Sequence, residues 1–260
     1  MTEKPAAPVQ PIRPAASVII ARDGDADRDG VIEMELFMLR RTAGASFAGG
    51  MYVFPGGRVE GDDHLHAFDP WRTGPSEAQD AQLQAVGNEW RGYWIAAIRE
   101  TFEESSLLLA YDEDGALLAW KDAEHEGRFE AYRHRIHDGT LDLLELCRQE
   151  RLRLACDHVH YFNRWITPLG RPRRFDTRFF IAEAPPGQTG IHDDHETVDS
   201  LWITPRAALE RHARGDFGLM GVTERQLATL QGLGSVAALH RWALERQDFP
   251  IHRPVLPPGT

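Results

Sequence analysis

Cysteine is nearly missing: the 260 residues hold two, Cys147 and Cys156. Two cannot build a disulfide framework, and their separation rules out a CxxC metal or redox motif, so a reducing compartment is expected. Long apolar runs are missing too. No stretch approaches the roughly 20 residues needed to cross a bilayer. The opening MTEKPAAPVQPIRPAA has no continuous apolar segment of secretory type, and the last residues, Pro257-Pro-Gly-Thr260, are no peroxisomal address. No membrane partner is expected, and the cytoplasm is the expected location. Positive charge is in deficit: 29 basic against 40 acidic residues leave a net charge of −11. Affinity for a duplex needs a basic surface, so no nucleic-acid partner is expected. A small phosphorylated ligand stays compatible if metal ions and a local basic patch offset the acidic field. No internal repeat is visible.

What is present is the composition of a soluble globular chain, 42% hydrophobic and 27% charged, long enough for one domain with insertions. Residues 1–14, rich in proline and alanine, read as a flexible N-terminal arm. The folded domain is expected over 15–250, followed by an irregular tail, 251–260. Residues 16–21 and 33–40 have strand character and flank an Asp/Gly-rich loop, which predicts an antiparallel pair. A third strand, 51–54, is halted by Pro55-Gly56-Gly57, with 58–60 continuing beyond it. Residues 64–87 lack a sustained period and read as a first insertion. A helix is expected over 88–110, with Trp94, Ile95, Ile98, Phe102 and Leu109 on one face and Glu100, Glu103 and Glu104 opposite, facing away from the core. A second insertion, 112–155, carries helical patterns at 126–137 and 141–154. Strands resume at 158–162, 177–182 and 198–203. Pro205 then opens a helix at its first position, and two more helices fit 222–247.

Glu100, Glu103 and Glu104 stand at i, i+3 and i+4, so their carboxylates converge within one helical turn and repel by roughly 0.2 to 0.5 kcal/mol per pair. A divalent cation would turn that repulsion into binding, and oxygen-only ligands favour Mg2+ or Mn2+ over zinc. By themselves the three glutamates are also what any solvated amphipathic helix shows. The flanking sequence decides between the readings. Gly57, Asp63 and the run Arg99-Glu-Thr-Phe-Glu-Glu-Ser-Ser-Leu107 resemble the Nudix box, G-x5-E-x7-R-E-U-x-E-E-x-G-U, with U aliphatic. Asp63 shortens the first acid, Thr101 replaces an aliphatic residue and Ser106 replaces the glycine. Residues 64–98 make 35 residues where the box has x7. An insertion there lengthens a surface loop between a turn and a helix whose positions packing fixes.

The interrupted box resembles one Nudix branch, the peroxisomal coenzyme A diphosphatases. Further likenesses are Leu39-Arg-Arg-Thr42 with Ser46-Phe47 before Val53-Phe54-Pro55-Gly56-Gly57, then Trp165-Ile-Thr-Pro168, Arg174-Phe-Asp-Thr177 with Phe179-Phe180, and Glu196 ahead of Trp202. They span about residues 14–213. The resemblance implies an α/β fold, a Nudix-type α/β/α sandwich with a mixed curved sheet and helical insertions. It implies divalent-metal-dependent hydrolysis of a diphosphate bond in a nucleoside-diphosphate-linked substrate. Coenzyme A or acyl-coenzyme A is the leading substrate, with ADP-ribose or NADH as the alternative. The Leu-Leu-Thr-x-Arg-type stretch of the bacterial coenzyme A branch is missing here. A non-catalytic Nudix-like ligand-binding module is a second alternative, although such modules usually lose box acids. By the same resemblance Glu100, Glu103, Glu104 and the Gly56 carbonyl hold the metal, Arg99 orients the acids, and Glu104 or Glu196 is the general base.

Weaker features complete the reading. Arg174, in the basic run from Arg171 to Arg178, and Arg40 are candidate substrate contacts, since guanidinium groups bind phosphate in bidentate fashion; a solubilising turn is the other reading of that run. The pairs His192/His195, His64/His66 and His158/His160 lack a third spaced ligand and are read as ordinary residues rather than zinc ligands. Phe68, Trp71, Trp90 and Trp94 could stack on a base, but are expected to pin the insertion to the domain. The aliphatic face of 141–154 is expected to pack within the chain, with a homodimer as the open alternative.

Overall fold

The computed structural model describes residues 10–25, 32–45, 48–193 and 195–256. Most of the expected N-terminal arm, the centre of the Asp/Gly-rich loop, Ser46-Phe47 and the last four residues of the tail lie outside them. In chain order the elements are β1 (Ile12–Asp23), β2 (Met34–Arg41), β3 (Tyr52–Val53), β4 (Gly56–Arg58), β5 (Arg72–Thr73), α1 (Asp80–Val86), α2 (Trp90–Ser105), β6 (Ala110–Tyr111), α3 (Ala123–His137), α4 (Leu143–Glu150), β7 (Arg153–Ala155), β8 (Val159–Ile166), β9 (Arg174–Glu183), β10 (Thr197–Ile203), α5 (Pro205–Arg214), α6 (Gly221–Leu230), α7 (Val236–Glu245) and β11 (Ile251–His252).

The main sheet runs β10-β2-β1-β9-β8-β11, with β3 on β2 and β4 on β1. It is mixed: β1 is antiparallel to β2 and β4 but parallel to β9. Strand alternation sorts its side chains onto two faces. Ala16, Val18, Ile20, Phe37 and Leu39 pack with α2 on one face, and Ile19, Ala21, Leu36 and Met38 pack with Leu227 of α6 and Leu239 of α7 on the other. Each fully buried Leu, Ile or Phe contributes roughly 1.5 to 3 kcal/mol, so the two clusters fix the sheet between its helices. This is the expected α/β/α sandwich. A small second sheet, β5-β7-β6, joins the two insertions.

Several boundaries move from the sequence-based expectation, each for a local reason. The domain begins at Ile12 rather than 15, because Ile12, Arg13 and Pro14 pair in parallel with Arg174, Phe175 and Asp176. The glycine turn is not merely a stop: Gly56–Arg58 is itself a strand on β1. Helix α2 ends at Ser105, since Ser106 adopts a left-handed conformation at φ 58°, and Leu109 lies beyond it. Helix α4 likewise ends at Glu150 before left-handed Arg151, so 153–155 is strand rather than helix. Ile251 and His252 of the supposedly irregular tail pair in parallel with β8. Pro205 does open α5, with Thr204 Oγ1 accepting from the Ala207 N–H.

The insertions are tied down rather than loose. Gln79 Nε2 and Trp94 Nε1 both donate to the carbonyls of Cys156 and Val159. Phe68 is buried, and Trp71 and Trp90 pack against the core. Leu143, Leu144, Leu146 and Cys147 bury the aliphatic face of α4 within this chain. Both cysteines are free and buried. No helix among the described residues is long and apolar enough to cross a membrane.

Candidate active site

The site forms where β4 meets the C-terminal half of α2. Gly56 has φ +152°, and a Cβ there would lie 2.4 Å from the Ala16 carbonyl oxygen and 2.5 Å from Ser17 Cα, so only glycine lets β4 lie this close to β1. A Cβ on Gly57 would come within 2.4 Å of Glu100 Oε2, so this second glycine makes room for the carboxylate. The Gly56 N–H donates to Glu104 Oε2 at 2.8 Å. The two halves of the interrupted box therefore meet in space across the long insertion.

Arg99 is the hub. Its Nε and Nη2 form a fork on Asp63 Oδ1 and Oδ2 at 2.9 and 3.0 Å, and Nη1 donates to Oε1 of both Glu100 and Glu103 at 2.9 Å. Nη2 also donates to the Arg58 carbonyl at 2.8 Å, fastening the helix to the turn. Asp63 is 3% exposed, and its Oδ2 accepts from the Glu60 N–H. Charge-assisted pairs of this kind are roughly twice as strong as neutral ones. Burial by itself would lower the Arg99 pKa, but Asp63, Glu100 and Glu103 together raise it, so the guanidinium stays charged.

The acids do not face bulk water, as the helical wheel had led us to expect. The side chains of Glu100 and Glu103 are 13% and 15% exposed, and Glu104 is buried. Helix α2 is covered on nearly every side because β4 and the Asp62–His64 turn close over its polar face. Burial, reinforced by Glu103, pushes the Glu100 carboxyl up to about 7 despite Arg99. Burial and the charge of Glu100 raise Glu104 well above the carboxylate range, against the Gly56 N–H and the Arg41 charge. Negative charge is thus under-compensated at this point. Arg99 takes only Oε1 of Glu100 and of Glu103, leaving an all-oxygen donor set of a kind hard divalent cations prefer. Among the described residues, no three His, Cys, Asp or Glu side chains already stand grouped about one point. The donor set therefore fits a cation in chemistry, with the carboxylates now turned onto protein donors.

Glu196 reaches the same place from the loop before β10. Arg41 Nη2 donates to its Oε2 at 2.7 Å, the Thr42 N–H donates to its carbonyl, and its charge is felt by Glu104. The structure thus gathers Glu100, Glu103, Glu104, Arg99, Gly56 and Glu196. It does not bring in the two candidate substrate arginines. Arg40 is exposed on the far face of β2, its guanidinium 5.9 Å from the centre of the Tyr52 ring. Arg174 is buried, with Nε on the Thr167 carbonyl and Nη1 on the Gln10 carbonyl.

The arginine that sequence reasoning missed is Arg41. It shares the α2 face with Leu39 by strand alternation, stands between Glu196 and Glu104, and its Nε is buried without a partner among the described residues. The departures from the box also find local reasons. Buried Thr101 donates its hydroxyl to the Ala97 carbonyl of its own helix, and Ser106 occupies the left-handed cap for which a glycine is the unstrained choice.

Comparison with known proteins points the same way. The family model described as the NUDT19 Nudix domain matches residues 72–222, more than half of the chain. The chain is 29% identical over 274 residues to acyl-coenzyme A diphosphatase NUDT19 of Gallus gallus, covering 90% of this chain and 72% of that protein. It is 26% identical to the Homo sapiens protein of the same name, covering 81% and 64%. The chain thus spans about two thirds of the length of these relatives. A crystal structure of a NUDIX hydrolase from Alicyclobacillus acidocaldarius superposes with a TM-score of 0.72 at 23% identity, covering 92% of this chain and 98% of that one, which shows a shared fold.

Proposed function

The chain belongs to the Nudix hydrolases, in the family of the NUDT19 Nudix domain, and on that premise we propose that it hydrolyses the diphosphate bond of coenzyme A or an acyl-coenzyme A. The observation that carries the reading is the closing of the Gly56-Gly57 turn onto Glu100 and Glu104, with Arg99 binding Asp63 from the other half of the box. The substrate class is taken from the relatives, acyl-coenzyme A diphosphatases by name. ADP-ribose and NADH are the alternatives.

Glu100, Glu103, Glu104 and the Gly56 carbonyl are the groups that would hold Mg2+ or Mn2+. Such a cation supplies charge neutralisation at the diphosphate and a bound water of lowered pKa. Arg99 keeps the acids in register through its fork on Asp63. Of the two candidate bases, Glu104 is favoured by position: it is buried at the glycine turn beside Glu100, with only the Gly56 N–H on its Oε2 among the described residues, whereas Glu196 Oε2 is engaged by the Arg41 guanidinium. Arg41 takes the substrate-phosphate role for which Arg40 was a candidate, since its guanidinium sits beside Glu196 and Glu104, with its Nε lacking a partner among the described residues. We place the protein in the cytoplasm, where its two free buried thiols stay reduced; concentration of a fluorescent fusion in an organelle would contradict that placement.

The test is a Mg2+ and Mn2+ titration with coenzyme A, an acyl-coenzyme A, ADP-ribose and NADH side by side. Turnover of the coenzyme A substrates, lost in EDTA and in Glu103→Gln, is expected. Faster turnover of ADP-ribose or NADH would overturn the substrate, and metal binding without turnover of any of the four would favour a binding module. Arg41→Ala is expected to lower kcat/KM by about 10- to 100-fold, the worth of a charge-assisted contact, while Arg40→Ala stays within about 3-fold. Equal losses in the two would remove the assignment of Arg41.

A further inference from the structure

The second insertion touches α2 at the turn that bears the acids. Arg133 of α3 is 4% exposed, and its Nη1 donates to the backbone carbonyl of Glu103 at 2.9 Å. The same guanidinium grips Glu130 through Nε, at 3.0 and 2.9 Å from the two carboxylate oxygens, and through Nη2. Glu130 Oε2 in turn accepts from the Ser106 hydroxyl at 2.7 Å. The last carbonyls of any helix lack intrahelical donors, and here one of them finds a buried arginine from an element 30 residues away in sequence.

Ser106 makes the arrangement informative. It holds φ 58°, a conformation that favours glycine, and its N–H still closes the helix on the Phe102 carbonyl. A glycine would fill this corner with less strain but could not reach Glu130. The serine therefore has a use at this position, which is to couple the cap of α2 to α3. Glu103 and Glu104 lie in the one turn held from both ends, by Arg133 at the Glu103 carbonyl and by Glu130 at Ser106.

We propose that Arg133 and Glu130, acting through Ser106, are positioning residues that set the direction of the Glu103 and Glu104 carboxylates, so that the second insertion is part of the cation-holding framework. The proposal rests on the reading that those glutamates hold a divalent cation. Its test must separate position from stability, and Ser106→Gly does so because it relieves the left-handed strain while cutting the link. In full-length Ser106→Gly, thermal stability is expected to hold or rise. Mn2+ affinity, followed by calorimetry and by the electron paramagnetic signal of free Mn2+, is expected to fall about 10-fold, the usual cost of losing an outer-shell partner. Arg133→Lys, which keeps the charge but loses the fork, is expected to act in the same direction.

Amide hydrogen exchange at residues 103–106, measured without metal, should quicken in both variants. Wild-type Mn2+ affinity and unchanged exchange in Ser106→Gly and Arg133→Lys would overturn the proposal and leave the contacts as packing alone. If the wild-type chain binds no Mn2+, the functional reading fails instead, and the exchange rates still decide whether α3 holds the helix end.

Discussion

Two crowded groups of titratable side chains occupy opposite faces of the sheet. On the α2 face stand Glu100, Glu103 and Glu104; on the other, between β8 and α7, His160 packs on His240 with ring centres 4.9 Å apart, and His158 lies 6.1 Å from His240. Both crowd groups that would repel if charged, yet they answer the problem differently. Burial, then His240 and His158, drive His160 down to about 3, so the imidazole stays neutral, and its two ring nitrogens have no partner among the described residues. The carboxylates keep an arginine, on Glu100 and Glu103, and a backbone donor, on Glu104. A buried polar group left beside nothing it can bond serves as packing, whereas carboxylates set on an arginine and a backbone donor with oxygens to spare are arranged to take a cation. By that criterion the glutamates are chemistry and His160 is core.

The largest effect that bears on this contrast is that of Glu104→Gln. The amide can still accept from the Gly56 N–H, so shape is retained while charge is lost. Turnover is expected to fall by about 10³-fold, the scale of removing an essential charged group, while the melting temperature in EDTA rises because repulsion with Glu100 is relieved. A lower melting temperature would mean that the buried carboxylate stabilises the fold, and the contrast with the histidines would collapse.

The pH dependence of stability separates the two groups by sign. For His160 the folded pKa, about 3, lies below the unfolded value near 6.5. The unfolded chain binds the extra proton, so stability is full above pH 6.5 and is lost as pH falls toward 3. Between pH 7.5 and 5 that loss amounts to about 2 kcal/mol. For Glu100 the folded value, about 7, lies above the unfolded one. Its contribution is full at low pH and is lost as pH rises through 7, the opposite tilt over an overlapping window. The wild-type protein in EDTA is therefore expected to show a muted net slope. Urea midpoints should show His160→Leu gaining stability over wild type at pH 5, by about 2 kcal/mol more than at pH 7.5, and Glu100→Gln gaining less at pH 5 than at pH 7.5. Parallel pH profiles for wild type and His160→Leu would show that this imidazole titrates freely.

What could be read before folding, and what could not, follows the range of the interactions. The strands around Ala16–Ala21 and Leu36–Leu39 announce themselves by apolar content, and the glutamates by helical spacing, because both patterns are local. The meeting of Gly57 with Glu100 across a 35-residue detour was legible only through resemblance to the box. Arg40 was named as a substrate contact without regard to strand register, where a shift of one residue changes the face; stepping two residues from Leu39 leads to Arg41. The end of α2 was misjudged because no glycine marks the left-handed cap at Ser106. Arg133 and Glu130 stand at the i, i+3 spacing of any helical ion pair, and nothing local in α3 tells that it ends against Glu103.

The smallest expected effect tests whether polar burial on α2 matters apart from charge. Thr101 lies between the glutamates, is 0% exposed and satisfies its hydroxyl on the Ala97 carbonyl. That carbonyl keeps its helical N–H donor when the hydroxyl is removed, so Thr101→Val leaves no group stranded and differs little in volume. Stability is expected to shift by about 1 kcal/mol or less, with kcat and Mn2+ affinity unchanged. The aliphatic residue of the box and the threonine here are then equivalent, both serving only to fill the space beneath the helix. A loss of turnover at constant stability would show instead that the back-bonded hydroxyl bends α2 enough to aim its neighbours, and the arginine and backbone contacts of the carboxylates would no longer be all that sets the glutamate face apart from the histidine core.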